Sequence, residues 1–438
     1  KYTYLICAVA AFGGLLFGYD TAVIAEAIGY LKVKFELSPM LTGWAASSAI
    51  WGCVFGALFA GALSDKYGRK KVLLLSGLLF TLSALGSAVP DNLTQFVMAR
   101  FIGGLGVGSA SMLSPLYISE IAPAKIRGML VTLYQLAIVF GINIIYIVNY
   151  LIANTHDQVW NVQLGWRYML GSEGIPAILF FILLFFVPES PRWLVKENRS
   201  EEALKILNQI NRPEETHRIL EEIKETVNEE KGSFLDLFKP GIRKAMVVGS
   251  VLAFFSQVTG INAIIYYAPE IFKQVGFGSE SALFQTMIIG FVNMLFTLLA
   301  IRFIDYWGRR TLLIWGISGM VSCLLGMGMF FYFEITSGPL LLLFILGFIA
   351  SFASSLGPIP WVLISEIFPT KTRGTAMSFS IVTLWLGVVL ITQFFPVLLS
   401  LFGGAFTFWI FMINALILLI FTLIFIPETK QKTLEEIQ

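Results

Sequence analysis

The sequence predicts an all-α membrane protein of twelve transmembrane helices, arranged as two similar halves of six. Of the 438 residues, 57% are apolar and only 13% are charged, a composition outside the range of ordinary soluble domains. The apolar residues gather into about twelve runs, each long enough to cross a bilayer. Several short motifs occur once in each half of the chain. The repetition predicts that both halves share one architecture.

The predicted spans place six helices on each side of a hydrophilic stretch. They cover residues 5–31, 43–64, 71–90, 94–121, 128–153, 167–188, 245–275, 281–303, 310–332, 338–365, 374–400 and 404–427. This predicts bundles at 1–194 and 244–428, a cytoplasmic helical linker at 195–243, and the start of another helix at 429–438. The linker's apolar residues recur at helical spacing, which favours a solvated amphipathic bundle over a regulatory surface.

Three pairs of charged motifs mark corresponding positions in the two halves. They are GALSDKYGRKK from Gly61 and IRFIDYWGRR from Ile301, SEIAPAKIRG from Ser119 and SEIFPTKTRG from Ser365, and PESPRW from Pro188 and PETK from Pro427. Four of the loops involved, all predicted on one face of the membrane, hold eleven Lys and Arg residues. The loops on the other face of the membrane, counted with their edges, hold four. Positive residues favour the cytoplasmic side, so we expect both termini in the cytoplasm and the protein in the plasma membrane.

The acidic residues of these motifs need a second explanation. Positive-inside bias accounts for Lys and Arg, but it does not account for Asp and Glu at fixed offsets. We interpret the set as ion pairs that tie helix ends together within each half and break during gating; the alternative is that all are topogenic charges only. The predicted gating residues are Asp65, Arg69, Glu120, Arg127, Glu189, Arg192, Asp305, Arg309, Glu366 and Arg373.

Polar and aromatic side chains stranded in apolar spans suggest a binding site. Neutral amides and aromatic walls suit the hydroxyls and ring face of a sugar, although each amide could equally join two helices. The candidates are Gln135, Asn143, Gln257, Asn262, Tyr266, Tyr267, Asn293, Trp361 and Trp385. Asp20, Arg100 and Glu173 are expected to meet near the outer half of the membrane, either to carry a proton or as a permanent ion pair.

The motifs resemble those of the sugar porter family of the major facilitator superfamily. GINAIIYYAPEIF (260–272), GPIPWVLISEIFP (357–369), PESPRWL and PETK carry the resemblance, which extends over nearly the whole chain and is nearest to bacterial D-xylose:proton symporters and their arabinose-transporting relatives. It is also similar to mammalian facilitative glucose transporters. The resemblance implies the major facilitator fold and alternating access to a central sugar site.

The resemblance also implies roles for single residues. It adds Phe17, Ile142 and Ser256 to the sugar site, and it places Asp20 and Arg100 at the proton-coupling pair, with Glu173 as its modulator. Ser256 replaces an amide, Ile142 replaces a glutamine, and Leu384 stands where a polar residue is usual, so the choice among xylose, arabinose, glucose and galactose stays open. Glu26 stands where glycine is usual, and it either reaches water or alters closing of the outer gate.

The predicted function is import of a monosaccharide, with D-xylose as first choice, by proton symport. The alternatives are a proton-independent facilitator and a non-transporting sugar sensor. No catalytic arrangement or metal-ligand spacing is found, so we expect neither an enzyme nor a cofactor. The close glycines of GGLGVGSAS (103–111) indicate helix packing rather than phosphate binding. The expected partners are the sugar, the proton and the lipid bilayer, with no nucleic acid, and the chain is expected to be a monomer.

Overall fold

The computed structural model describes residues 2–123, 126–211, 213–229, 240–274, 276, 278–335, 338–368 and 373–428. All the regular secondary structure in these ranges is helical. The all-α class predicted from the sequence is therefore confirmed. The predicted linker residues 230–239 and the predicted final helix at 429–438 lie outside the described residues.

The spanning helices follow the predicted pattern of two sets of six. Ten apolar helices in the described ranges are long enough to cross a bilayer. The last of them bends at the non-helical Gly403 and supplies two spans, and a shorter apolar helix with its continuation supplies the twelfth. In order, the spans are Tyr2–Lys34, Pro39–Tyr67, Arg69–Ala88, Leu93–Ile121, Arg127–Ala153, Gln158–Phe186, Ile242–Gln274, Ser279–Trp307, Arg309–Tyr332, Gly338–Ala353 with Ile359–Ile367, and the two parts of Arg373–Phe425.

Most predicted boundaries lie within a few residues of the observed ones, and the sixth span is the clearest exception. It begins at Gln158 rather than at residue 167. The Asp157 carboxylate accepts a hydrogen bond of 2.9 Å from the backbone N–H of Trp160 and so caps an additional helical turn. Polar residues in this turn, such as Asn161, conceal it from a search for apolar runs.

Successive spans run up and down, so their ends gather at two levels. We call the level of the turns at Gly68 and Gly308 the basic end, because the repeated Lys and Arg motifs lie there. The level of the turns at 35–38 and 89–92 is called the opposite end. Gly68 and Gly308 have φ of 99° and 87°, a conformation that favours glycine and lets two long helices meet at one residue.

Three shorter helices follow the sixth span, at Pro191–Lys196, Ser200–Ile210 and Pro213–Glu229. Ala203, Leu207 and Ile210 are buried at helical spacing. One face of the second helix therefore packs inward while its charged residues face water, as the amphipathic pattern predicts.

The glycines of the fourth span pack directly on the second span. A Cβ atom at Gly52 would lie 2.8 Å from the Cα atom of Gly104, and one at Gly104 would overlap the Ala49 carbonyl oxygen. The two helices consequently approach backbone to backbone, as small-residue stripes allow in membranes. The prediction that this glycine-rich stretch serves helix packing is confirmed.

Large apolar side chains cover the outward faces of the spans. Ile175, Phe186 and Trp315 are 78%, 76% and 75% exposed. Such a surface is stable in lipid and unfavourable in water.

Candidate functional site

The first and seventh spans are interrupted at corresponding places. The first span breaks at Val23, and the seventh span, at the corresponding place in the second half, breaks at Thr259 and Gly260. Gly260 has φ of 96°. Interrupted helices in corresponding positions are typical of binding sites in transporters built from repeats.

Polar side chains on both sides of the seventh-span break form a small chain of hydrogen bonds. The Asn262 amide N–H donates to Gln257 Oε1 at 2.9 Å, and Gln257 Nε2 donates to Ser256 Oγ at 3.1 Å. Ser256 is fully buried. These bonds fix the orientation of Gln257 and leave a second N–H on each amide for another acceptor.

Two aromatic side chains form a wall where the halves meet. The rings of Phe17, on the first span, and Trp385, on the eleventh, lie 5.3 Å apart between centroids. The indole Nε1 of Trp385 is buried and has no acceptor among the described residues. A buried N–H donor without a partner is costly, so this atom can hold the hydroxyl of a bound molecule.

The other predicted sugar-site residues are divided between two environments. Ile142, Tyr266 and Asn293 are buried, whereas Gln135 and Trp361 are half-buried. Two further candidates have structural roles. Asn143 Nδ2 donates to the carbonyl oxygens of Val139, at 2.8 Å, and Gly290, at 2.9 Å. The Tyr267 hydroxyl donates to the Thr392 carbonyl oxygen at 2.9 Å.

The structure brings Asp20, Arg100 and Glu173 together in the interior of the first half. Arg100 Nη1 pairs with Asp20 Oδ1, and Arg100 Nη2 donates to the Asp20 backbone oxygen at 2.8 Å. All three side chains are buried, and Glu173 interacts with both of the others. Asp20 Oδ2 and Glu173 Oε1 have no hydrogen-bond partner in the described part of the chain.

An ion-pair network joins three helix ends at the basic end. The Arg69 guanidinium lies 3.0 Å from Asp65 Oδ1 and 3.0 Å from Glu120 Oε1, so it connects the second, third and fourth spans. Glu189 accepts from the backbone N–H groups of Arg69, at 2.9 Å, and Lys70, at 3.1 Å. Burial raises the pKa of the Glu189 carboxyl, and the backbone N–H groups oppose this change.

The second half repeats this turn with different residues. Glu428 accepts from the backbone N–H groups of Arg309, at 3.0 Å, and Arg310, at 3.1 Å. Glu428 thus caps the ninth span as Glu189 caps the third. Glu428 is not among the predicted gating residues, although its motif PETK corresponds to PESPRW, which contains Glu189.

The structure describes one of the remaining predicted gating side chains. Arg192 lies in the short helix Pro191–Lys196. The side chains of Arg127, Asp305, Glu366 and Arg373 lie outside the described residues.

The two halves are joined at the opposite end. Ser47 Oγ donates to Gln393 Oε1 at 2.5 Å, and Gln393 Nε2 donates to the Met40 carbonyl oxygen at 3.2 Å. The Tyr146 hydroxyl adds a bond of 2.9 Å to the Ile265 carbonyl oxygen. Ser47 and Gln393 were not predicted from the sequence. The signal that could have indicated this contact is Gln393 itself, a lone glutamine in an apolar span.

Comparison with known proteins gives the family. Residues 6–438 match the family described as "Sugar (and other) transporter". The chain belongs to this family. It is therefore a multi-pass membrane transporter rather than an enzyme, and the family predicted from its motifs is confirmed.

The transporter is similar along its whole length to characterised members. The arabinose-proton symporter of Bacillus subtilis is 46% identical over 435 residues, covering 99% of this chain and 94% of that protein. The D-xylose-proton symporter of Escherichia coli K12 is 41% identical, covering 100% of this chain and 95% of that protein. A solved structure of the E. coli xylose transporter XylE, in a partially occluded inward-open conformation, superimposes with a TM-score of 0.88 at 38% identity, covering 98% and 100% of the two chains.

Proposed function

We propose that this transporter carries a monosaccharide together with a proton, by alternating access to a site between its halves. The observation that carries the proposal is the buried Asp20–Arg100 pair, with Glu173 beside it, in a helical bundle that also holds the buried Trp385 indole and the half-buried Gln257 amide. Relatives named for arabinose and for D-xylose support a pentose, and D-xylose is the first sugar to test.

The sugar site uses neutral donors and an aromatic face. Gln257 and Asn262 each offer a free amide N–H, and Trp385 offers its indole N–H, so three donors suit the hydroxyl groups of a sugar. Phe17 and Trp385 come from opposite halves. A sugar bound against both rings therefore contacts both halves, and its release lets them separate.

The proton step takes place on Asp20. A proton from water binds to the carboxylate, whose Oδ2 has no other partner, and neutralises its charge. Arg100 then keeps its bond to the Asp20 backbone oxygen and its interaction with Glu173. When the halves rock and the site opens to the other side, the proton leaves Asp20 and the ion pair with Arg100 forms again.

The two ends serve as alternating gates. We place the basic end in the cytoplasm, because Lys and Arg concentrate there. The Arg69 network and the Glu189 cap tie the helix ends of the first half together while that end is closed, and these contacts break when it opens. The molecule functions as a monomer in the plasma membrane, with units at 1–194, 195–243 and 244–428.

The test is uptake of radiolabelled D-xylose by purified protein in liposomes, with and without an inward proton gradient. We expect accumulation that requires the gradient and is lost in Asp20→Asn, while exchange of sugar persists. Asp91→Asn is the matched control, since its carboxylate is 87% exposed and lies 3.6 Å from Arg167. Unlabelled arabinose, glucose and galactose serve as competitors.

Other outcomes would point to different functions. Equilibration of the sugar without accumulation would contradict symport and favour a facilitator. The presence of Ile142 in place of an amide would suit a facilitator. Binding without entry of any sugar would favour a sensor. Competition by a hexose alone would change the substrate and leave the mechanism in place.

A further inference from the structure

Glu26 is a buried carboxyl in the first span that the proposed proton step does not use. The residue is 3% exposed, and it lies beyond the helix break, toward the opposite end. An ionisable group in a membrane-spanning segment is expensive unless it is paired or functional.

Among the side chains of the described residues, the hydrogen-bond donor to the Glu26 carboxyl is Asn149, on the fifth span. Asn149 Nδ2 donates to Glu26 Oε2 at 2.7 Å and to the Val23 carbonyl oxygen at 3.3 Å. Two atoms of this pair, Glu26 Oε1 and Asn149 Oδ1, are buried acceptors without a donor in the described part of the chain. A carboxylate would leave both unsatisfied.

One added proton satisfies both acceptors. A proton bound to Glu26 Oε1 makes that atom a donor, and Asn149 Oδ1 is the unoccupied acceptor on the side chain already bonded to Glu26. The acid and the amide then form a ring of two hydrogen bonds. A buried polar group that stays unsatisfied destabilises the folded protein.

The charged groups around Glu26 do not supply the missing donor. Lys273, on the seventh span, lies 3.0 Å from Glu270 and over the ring of Tyr30. The Tyr146 hydroxyl donates to a backbone oxygen. On the sixth span, Arg167 donates to the carbonyl oxygens of Ala88 and Pro90.

The charges that share the helix of Glu26 do not reach it either. Lys32 and Lys34 are exposed to water at the end of the same helix.

We propose that Glu26 is a second proton-binding site, distinct from Asp20, and that it is protonated when the opposite end is closed. Glu270 and Lys273 belong to the second half and cover this part of the first span, and Gly29 leaves the room that Glu270 fills. Separation of the halves at the opposite end admits water to Glu26. The proton of Glu26 then returns to the water at that end, from which it came. Acid at the opposite end therefore favours closure, and this proton is not transported.

Infrared spectroscopy of the purified transporter tests the proton directly. At neutral pH we expect a protonated-carboxyl C=O band that disappears in Glu26→Gln and persists in Glu270→Gln, the matched carboxyl at the same end. Asn149→Leu should shift the band to higher frequency, because the carboxyl loses its amide partner. A Glu26→Gln spectrum identical to that of the unmodified protein would overturn the proposal and indicate an ionised Glu26 beside Lys273.

A distance measurement tests the link to closure. Spin labels at Val33 and Gly278, exposed positions on opposite halves, report the separation at the opposite end. We expect the short-distance population to rise as the pH falls in the unmodified protein and to be independent of pH in Glu26→Gln. Full pH dependence in Glu26→Gln would contradict the proposal.

The closure part of the proposal rests on the alternating access proposed above, but the infrared test needs no sugar and no transport. A missing Glu26 band with intact symport rejects this inference alone. An intact band without gradient-driven uptake rejects the proposed function alone.

Discussion

At the scale of single residues, the chain places its most costly groups where each has a defined partner. Asp20 and Arg100 are both almost completely buried, and the guanidinium contacts both the carboxylate and the backbone oxygen of Asp20. Removing one member of a buried pair is far more destabilising than removing both, because a lone charge remains in a medium of low polarity.

Arg100→Leu tests this pairing. We expect it to lower the free energy of unfolding by about 3–5 kcal/mol, and we expect the double variant Asp20→Asn with Arg100→Leu to recover most of the loss. Thermal unfolding in detergent measures both. Arg199→Leu is the control and should change little, because its ion pair with Glu202 is exposed. Equal losses in the single and double variants would contradict a coupled pair.

At the scale of secondary-structure elements, small residues and capping carboxylates decide how the helices meet. The second and fourth spans touch through Gly52, Gly104 and neighbouring carbonyl oxygens, so their separation has no room for a methyl group. The third and ninth spans begin at left-handed glycines whose following N–H groups bind Glu189 and Glu428. The repeated motif is thus a structural turn as well as a charged loop.

Gly104→Ala should disrupt the contact between the second and fourth spans. The new Cβ atom would overlap the Ala49 carbonyl oxygen, which belongs to rigid helical backbone. We expect a loss of about 1–3 kcal/mol in stability, or failure to fold, measured by thermal unfolding and yield. Gly278→Ala is the control, because its Cβ would meet nothing within 4 Å. An unaffected Gly104→Ala protein would contradict the observed helix separation.

Glu189→Gln should weaken the turn at the start of the third span. The amide keeps one acceptor oxygen where the carboxylate has two, so we expect a loss of about 1–2 kcal/mol at neutral pH. Because burial raises the pKa of Glu189, the folded state binds a proton more readily than the unfolded state. Stability attributable to this group therefore increases as the pH falls through its raised pKa.

The measurement is the difference in melting temperature between the unmodified protein and Glu189→Gln at several pH values. This difference should widen as the pH falls through the raised pKa of Glu189. Glu221→Gln, at an exposed position of the linker, provides the control. A difference that narrows as the pH falls would show that the pKa of Glu189 lies below its ordinary value.

At the scale of the whole molecule, the contacts between the two halves at the opposite end keep that end closed. Gly43 is central to them, since a Cβ atom there would overlap the Gln393 carbonyl oxygen across the boundary between the halves. The Gln393 side chain adds its bonds to Ser47 and Met40 beside this point. Closure thus depends on a close approach of backbone as well as on hydrogen bonds.

Gly43→Ala should keep the opposite end from closing. We expect a longer distance between spin labels at Val33 and Gly278, together with loss of transport and retention of folding, because each half remains intact. Gly61→Ala on the same helix is the matched control, as its Cβ would meet only the flexible end of Met112, 3.1 Å away. Unchanged distances in Gly43→Ala would show that the halves close without this contact.

The sequence by itself determined the fold class, the two-fold repeat, the family and the meeting of Asp20 with Arg100. The bilayer makes the fold class and the ion pair readable in the sequence, because a spanning helix needs about 20 apolar residues and a charge buried in the membrane needs a partner. Charged turns such as the one at Asp65 are local and repeat in the chain. The sequence also indicated Gln257 as an amide of the sugar site. The sequence did not distinguish Gln257 from Asn143, whose amide joins two helices.

Only the tertiary structure decided which atoms meet across the chain. Ser47 and Gln393 are 346 positions apart, and Glu428 binds the helix that begins more than one hundred residues before it. The pairing of Glu26 with Asn149 likewise depends on the rotation of the first span against the fifth. Hydropathy and spacing show that a side chain is costly in lipid, but helix packing selects its partner, because that choice depends on which faces of distant helices come together.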